Sequence, residues 1–282
     1  MKSKKLLQKV ATREFAFPES RDGLALLRSI HEGTYANTKP GDASFHAYAA
    51  AVNVTSEFAA QALDIVELIP FNNKLADIQE DYMPSYPPMS PVTIAFFSGW
   101  MVLDAKDHHS ELTLGGMFAH YLKTRNELEC LQHALSFLND SYCAFYEVLQ
   151  AEAGEVRLWD IAVRREFRCW NSSGYAGRRG EVWFARVLPP FSAYSHLWVT
   201  VSTPYVFAEG GRAWEGFIAR CLGPANGSDN RLQEYLKHGK FLGYWLEFIH
   251  QAYANYTWNA IFLAGFPDQP ESRPHSDERR KL

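Results

Sequence analysis

The sequence of 282 residues is poor in cysteine, and its four cysteines form no Cys-x-x-Cys pair. Pairs at that spacing are the usual ligands of a zinc ribbon and the redox centre of thioredoxin-like proteins. The spacing therefore argues against both classes. Cys130, Cys143, Cys169 and Cys221 have flanking residues that favour reduced, buried thiols.

Long hydrophobic runs are also missing. The longest apolar stretch, 92–103, is interrupted by Ser98-Gly99 and is far shorter than the roughly 20 residues of a membrane-spanning helix. Residues 1–9 are basic, but no apolar segment follows them as it does in a secretory signal. The sequence thus predicts a cytoplasmic protein without a membrane partner.

An excess of positive charge is absent as well. The formal net charge is -4, which argues against a protein built wholly for nucleic-acid binding but leaves local basic patches open. Hydrophobic residues make up 47% and charged residues 21% of the chain, and this balance predicts a folded domain. The aromatic content of 15% favours a core rich in rings over a stacking surface.

Helical spacing of apolar residues is present throughout the region 1–140, which we expect to be helical. One helix is expected over 43–68, where Pro70 ends it. A proline-rich connector is expected over 83–91. Further helices are predicted at 92–103, 112–123 and 126–138.

The period changes towards two from Tyr142, and the region 141–210 is predicted to form a small antiparallel β-barrel-like module of about six strands. Glycines and prolines separate runs of β-branched and aromatic residues there. Phe167, Val182 and Phe184 occupy alternating positions and are expected to be buried.

The C-terminal region 211–266 returns to helical spacing, with Phe241, Trp245 and Tyr253 on one apolar face. The apolar run 259–263 is predicted to be a short final strand, and 267–282 a flexible tail. Together the patterns predict an α+β fold, with helices before and after the central β-module.

Three strings carry a resemblance. Residues 173–190 (SGYAGRRGEVWFARVLPP), 247–253 (EFIHQAY) and 260–268 (AIFLAGFPD) resemble a set of uncharacterised bacterial proteins with no assigned activity. The β-module is also similar to the domain that precedes zinc-binding SEC-C tails, but this chain has no cysteine-rich tail. The resemblance implies a bacterial, cytoplasmic protein and transfers no catalytic residue, and we expect no cofactor.

Potential metal ligands are densest between residues 104 and 120. His108, His109, Glu111 and His120 are the candidates, because imidazole and carboxylate groups that converge on one point bind metal ions. However, no HExxH pattern is present, and acidic side chains are also typical of a solvated helix start. A metal-assisted hydrolase is therefore the alternative function, and an absent metal site is the preferred interpretation.

The glycine-rich string within 173–190 is not a phosphate-binding motif, since it leads into a strand instead of a helix. We expect a hairpin loop whose glycines adopt positive φ. Arg178 and Arg179 lie in this loop, with Tyr175 and Trp183 beside them. Small barrels bind single strands with basic grooves and stacking rings, whereas a solvated hairpin with packed rings is the simpler interpretation.

The most consistent interpretation is a non-enzymatic binding or interaction protein. Its partner is predicted to be a protein or a single-stranded nucleic acid, with Arg178, Arg179, Tyr175 and Trp183 as candidate binding residues.

Overall fold

The structure is a computed structural model that describes residues 2–36, 39, 41–82, 91–125, 128–152, 154–191, 196–207, 213–223 and 230–268. The α-helices in these ranges are α1 Lys2–Thr12, α2 Arg21–His31, α3 Asp42–Ala62, α4 Ile69–Tyr82, α5 Pro91–Leu103, α6 Leu114–Arg125, α7 Glu129–Asp140, α8 Ala213–Leu222, α9 Arg231–His238 and α10 Tyr244–Ala252.

The strands in the same ranges fall into two sheets. A two-stranded sheet pairs β1 Lys106–Asp107 with β2 Leu112–Thr113. The larger sheet contains β3 Cys143–Glu152, β4 Glu155–Asp160, β5 Arg165–Asn171, β6 Val182–Leu188, β7 Trp198–Thr200, β8 Tyr205–Phe207, β9 Tyr253–Thr257 and β10 Ala260–Leu263.

The first half of the chain is mainly helical, as predicted, but β1 and β2 interrupt it and several boundaries differ. The helices expected at 112–123 and 126–138 are α6 and α7, which begin two or three residues later. The helix expected over 43–68 ends at Ala62 and is followed by a 3-10 turn, Val66–Leu68. Pro70 does not stop a helix there, because it lies in the first turn of α4. At that position the missing N–H has no intrahelical partner to lose. The connector was predicted over 83–91, and its residues 83–90 lie outside the described residues.

Five strands close a small barrel in the order β3, β4, β5, β7, β6, because β6 also pairs with β3. Most neighbours are antiparallel, while β5 and β7 are parallel. The predicted β-module between helical parts is thus confirmed, and the fold class is α+β.

Strand β6 is buried along its whole length. The ring of Phe184 faces the helices, 5.1 Å from Trp245 of α10 and 6.3 Å from Phe96 of α5, measured between ring centroids. The preceding residue, Trp183, packs on the opposite face against Tyr175. Both faces of this strand are therefore covered. The predicted burial of Phe167, Val182 and Phe184 is confirmed.

The C-terminal part adds strands to the same sheet. β10 pairs in parallel with β8, and β9 pairs antiparallel with β10, which confirms the predicted final strand. Phe241 and Tyr253 lie outside α10, so the expected helical face was too long: Phe241 is exposed in the turn before α10, and Tyr253 begins β9. In the predicted flexible tail, residues 269–282 lie outside the described residues.

One buried group of charges connects the three parts. Asp104, which follows α5, accepts hydrogen bonds from Arg186 of β6 and from Lys237 of α9, whose Nζ lies 3.1 Å from its carboxylate. Both cations also donate to the carbonyl oxygen of Ser141, from 2.9 and 2.6 Å. We call Asp104, Arg186 and Lys237 the ion cluster.

Candidate functional site

The predicted metal ligands do not converge in the structure. Asp107 turns its carboxylate to the backbone of the β1–β2 turn, where it accepts hydrogen bonds from the N–H groups of His109 and Ser110. The rings of His108 and His109 lie 3.8 Å apart on the exposed side of this turn. Glu111 is exposed and has a φ of 60°, which closes the turn.

His120 belongs to α6, a separate element that follows β2. Among the described residues, no group of three His, Cys, Asp or Glu side chains lies close enough to hold a metal ion. The 104–120 segment instead supplies Asp104 to the ion cluster and Asp107 to a turn. The metal-assisted hydrolase stays a prediction without support from this part of the chain.

The cysteines are free thiols, and three of them are buried. Burial raises the pKa of Cys143 to about 12, against the partial opposing effect of Arg186. Burial also raises the pKa of Cys169 well beyond that of an exposed thiol. A protonated thiol is a poor nucleophile, so these two side chains act as packing groups.

The segment 172–181, which we call the glycine loop, connects β5 to β6. Gly174, Gly177 and Gly180 have φ values of 74°, 73° and 85°, so the expected positive φ is confirmed. The expected hairpin is wrong, because β7 lies between β5 and β6 in the sheet and runs parallel to β5.

Two side chains fix the shape of the glycine loop. The buried amide of Asn171 donates to the carbonyl oxygen of Tyr175 at 2.6 Å and accepts from the hydroxyl of Ser173 at 3.1 Å. The carboxylate of Glu181 accepts from the hydroxyl of Tyr175 at 3.1 Å and from the indole N–H of Trp183 at 3.0 Å. Burial, together with Glu181, raises the pKa of Tyr175 to about 12, so the phenol keeps donating at neutral pH.

Arg178 and Arg179 are exposed on the glycine loop and line an open groove of about 660 Å³ together with Gln150 and Arg157. Arg157 is paired with Glu166. In the described part of the chain, neither Arg178 nor Arg179 has a carboxylate within ion-pair distance. Their charges are therefore available to an anionic partner.

The two predicted rings differ in access. Trp183 is 0% exposed, and a Cβ at Gly177 would lie only 2.5 Å from its ring. Contrary to the prediction, Trp183 offers no face to a ligand, because its indole packs beneath the loop. Tyr175 is half-buried and packs edge-on to Phe262 of β10.

The ring of Trp258, which was not among the predicted binding residues, lies beside the glycine loop. Trp258 occupies the turn between β9 and β10 and is 81% exposed. A Cβ at Gly174 would lie 3.4 Å from this ring, so the turn and the glycine loop are neighbours. We define Tyr175, Arg178, Arg179 and Trp258 as the loop surface.

A cavity of about 590 Å³ lies elsewhere, between the helices α3 and α5 and the barrel. Its walls include rings from each side, among them Tyr48, Phe96 and Trp100, and the hydroxyl-bearing residues Ser202 and Thr203. Sequence patterns do not predict this cavity, because its walls come from segments that are far apart in the chain.

Comparisons with known proteins add no relative: no family model, no curated protein and no solved structure matches the chain. Within the described residues, no helix combines the length and the apolar character needed to span a membrane.

Proposed function

We propose that this protein is a non-enzymatic binding protein of the bacterial cytoplasm that holds a single-stranded nucleic acid on the loop surface. One observation carries the proposal: two exposed arginines, without a carboxylate partner among the described residues, lie on the glycine loop of the barrel, and an 81% exposed tryptophan lies on the neighbouring β9–β10 turn of the same sheet. Basic groups beside exposed rings are the two elements that small barrels use for single strands.

The charges support contact with phosphates. Arg157 and Arg168 are neutralised by Glu166 and Glu155, whereas Arg178 and Arg179 keep their full charge. Two unpaired guanidiniums on a chain of net charge -4 favour weak binding that depends on salt, since each phosphate contact releases counterions.

The exposed indole supports contact with bases. Binding a base removes an exposed aromatic face from water, and base–aromatic stacking contributes about 1–3 kcal/mol of binding free energy for each base. Because every base has a π-face, such stacking is tolerant of sequence. The proposal is therefore a strand without strict base preference.

The loop needs no large rearrangement to bind. Asn171 and Glu181 hold the glycine loop by hydrogen bonds of 2.6–3.1 Å, which lowers the conformational entropy that binding would remove. Two further observations support the compartment and the origin: the four thiols are unpaired, and the three strings within 173–268 resemble bacterial proteins.

A titration tests this directly. The probes are fluorescein-labelled oligothymidylate and oligouridylate of about 16 nucleotides, near the upper site size of one small barrel, with anisotropy read at low salt. We expect binding that weakens at least about tenfold in an Arg178→Ala/Arg179→Ala variant, with an unchanged melting temperature.

The matched control removes two exposed arginines of α2, with Arg21→Ala/Arg28→Ala, and changes the net charge equally. We expect this control to bind almost as the unchanged protein does. Equal losses in both variants, or no binding at tens of micromolar, a level that non-specific contacts reach, would contradict the proposal. The latter outcome would favour a protein partner.

A further inference from the structure

The cavity between α3, α5 and the barrel has the size and lining of a small-molecule site. Its volume of about 590 Å³ lies within the roughly 300–1,000 Å³ of ligand pockets. Apolar side chains form most of its lining, including five rings, and six serine and threonine residues, Asn53 and the charged Arg186 interrupt them. A mainly apolar pocket with few polar groups is the usual form of such sites.

A glycine inside α5 keeps part of this space open. Gly99 lines the cavity, and a Cβ built there would meet no atom within 4 Å. By contrast, a Cβ at each of the other described helical glycines would contact a neighbour, for example Ala50 at 3.5 Å from Gly23 and Arg220 at 3.1 Å from Gly216. At Gly216 that neighbour is only the flexible end of a side chain, whereas Gly23 and Gly115 face fixed neighbours. Packing leaves Gly99 unexplained, although glycine weakens a helix interior relative to alanine.

The charged residue in the lining is Arg186, which is buried. Its guanidinium has five N–H donors, and three hydrogen bonds bind it to Ser141 and Asp104. Lys237 shares the same carboxylate, so two cations of the ion cluster face one anion. Burial lowers the pKa of Lys237, and the nearby Asp104 opposes this effect. With both cations charged, the cluster has an excess positive charge in a region shielded from water, where an additional anion is favoured.

We propose that this cavity binds a small amphipathic anion, whose apolar body lies against the rings and beside Gly99 while its acidic group is directed to Arg186. The site shares no residue with the loop surface, although Ser172 and Ser173 of the glycine loop belong to its lining, and the proposal does not depend on nucleic-acid binding.

The most specific test variant fills the open space beside Gly99. Gly99→Leu places a side chain in the space beside α5 and leaves every residue of the ion cluster in place, whereas replacing Arg186 risks unfolding the protein. Gly216→Leu in α8 is the control, because its nearest atom is the end of the flexible Arg220 side chain. Circular dichroism and thermal melting establish that each variant is folded.

The probe is anilinonaphthalene sulfonate, an aromatic anion whose fluorescence rises in apolar surroundings, used under native conditions. We expect the unchanged protein and Gly216→Leu to bind it equally, and Gly99→Leu to bind about tenfold more weakly or worse. In the absence of ligand, Gly99→Ala should raise the melting temperature by about 2–4 °C, since alanine favours the helix.

A second comparison tests the charge. Phenylbutyrate and phenylbutanol share an apolar body, and competition with the fluorescent probe should favour the carboxylate by about tenfold. Equal competition by the two compounds, or full probe binding by folded Gly99→Leu, would overturn the proposal.

Discussion

The ion cluster and the loop surface use the same residue type in opposite ways. Arg186 is buried, donates to Asp104 and Ser141, and joins the barrel to the helices. Arg178 and Arg179 are exposed and, among the described residues, have no carboxylate partner. The burial and the partners of each arginine, and not its charge, separate a residue that joins elements of the fold from one that is open to a partner in solution.

The difference has an energetic basis. A charge inside the protein loses its hydration and is tolerated only with a partner and hydrogen bonds. Although burial alone disfavours the charged guanidinium, Asp104 and its other neighbours raise the pKa of Arg186 overall. An exposed guanidinium keeps its hydration, contributes little to stability and is free to exchange water for a phosphate.

The largest expected effect on stability is the loss of a buried ion pair, compared with the loss of an exposed one. Asp104→Ala leaves Arg186 and Lys237 buried without their carboxylate, and we expect the free energy of unfolding to fall by about 3–5 kcal/mol. Glu166→Ala, which removes the exposed partner of Arg157, should cost less than about 1 kcal/mol. Urea denaturation of both variants provides the measurement, and similar losses would remove the distinction.

A comparable loss is expected in the apolar part of the same interface. Phe184→Ala removes the ring that packs on Trp245 and Phe96 and should destabilise the protein by about 3–5 kcal/mol. The double change Arg178→Ala/Arg179→Ala should alter stability by no more than about 0.5 kcal/mol. An unchanged melting transition for Phe184→Ala would show that this face is not part of the core.

Alkaline pH should weaken the buried region. Burial raises the pKa of Tyr146 and Tyr205 well above that of a free phenol. Both phenols thus contribute stability below the unfolded pKa of about 10, and this stability is lost as the pH rises towards their folded pKa values. From about pH 9 to pH 11 the free energy of unfolding should fall by about 2–3 kcal/mol through these two groups.

Urea unfolding at several pH values measures this slope, and phenolate absorbance shows how many tyrosines ionise in the folded protein. Tyr146→Phe is the control, because it should reduce the slope. A slope that Tyr146→Phe leaves unchanged would mean that the loss comes from other groups.

The smallest effect on stability is expected at Trp258. Its ring is 81% exposed, so Trp258→Ala should change the free energy of unfolding by about 0.5 kcal/mol or less. The same change should weaken oligothymidylate binding by about 1–3 kcal/mol if one base stacks on the indole. Trp258→Phe, which keeps an aromatic face, should retain part of the affinity, and equal binding by all three proteins would exclude stacking at this position.

The sequence predicted the parts of this comparison that depend on local pattern. Period-two alternation identified the strands that bury Phe167 and Phe184, and glycine spacing identified the positive φ values of the loop. Those features follow from backbone sterics and from the two faces of a strand.

Features that depend on chain closure were not predictable. Asp104 and Arg186 are 82 residues apart, and Trp258 reaches Gly174 only because β10 pairs with β8. Trp183 was read as accessible, yet the glycine loop covers it. A single sequence fixes neither which strands become neighbours nor which ring a loop covers, since both are set by tertiary packing.

The salt dependence of binding tests the central claim most directly. For a single strand, the logarithm of the binding constant falls with the logarithm of salt concentration by about 0.7 for each phosphate contact. If Arg178 and Arg179 each contact a phosphate, the double alanine variant should show a slope smaller by about 1.4 than the unchanged protein, at equal stability. Identical slopes for the two proteins would contradict a role of the loop surface in binding.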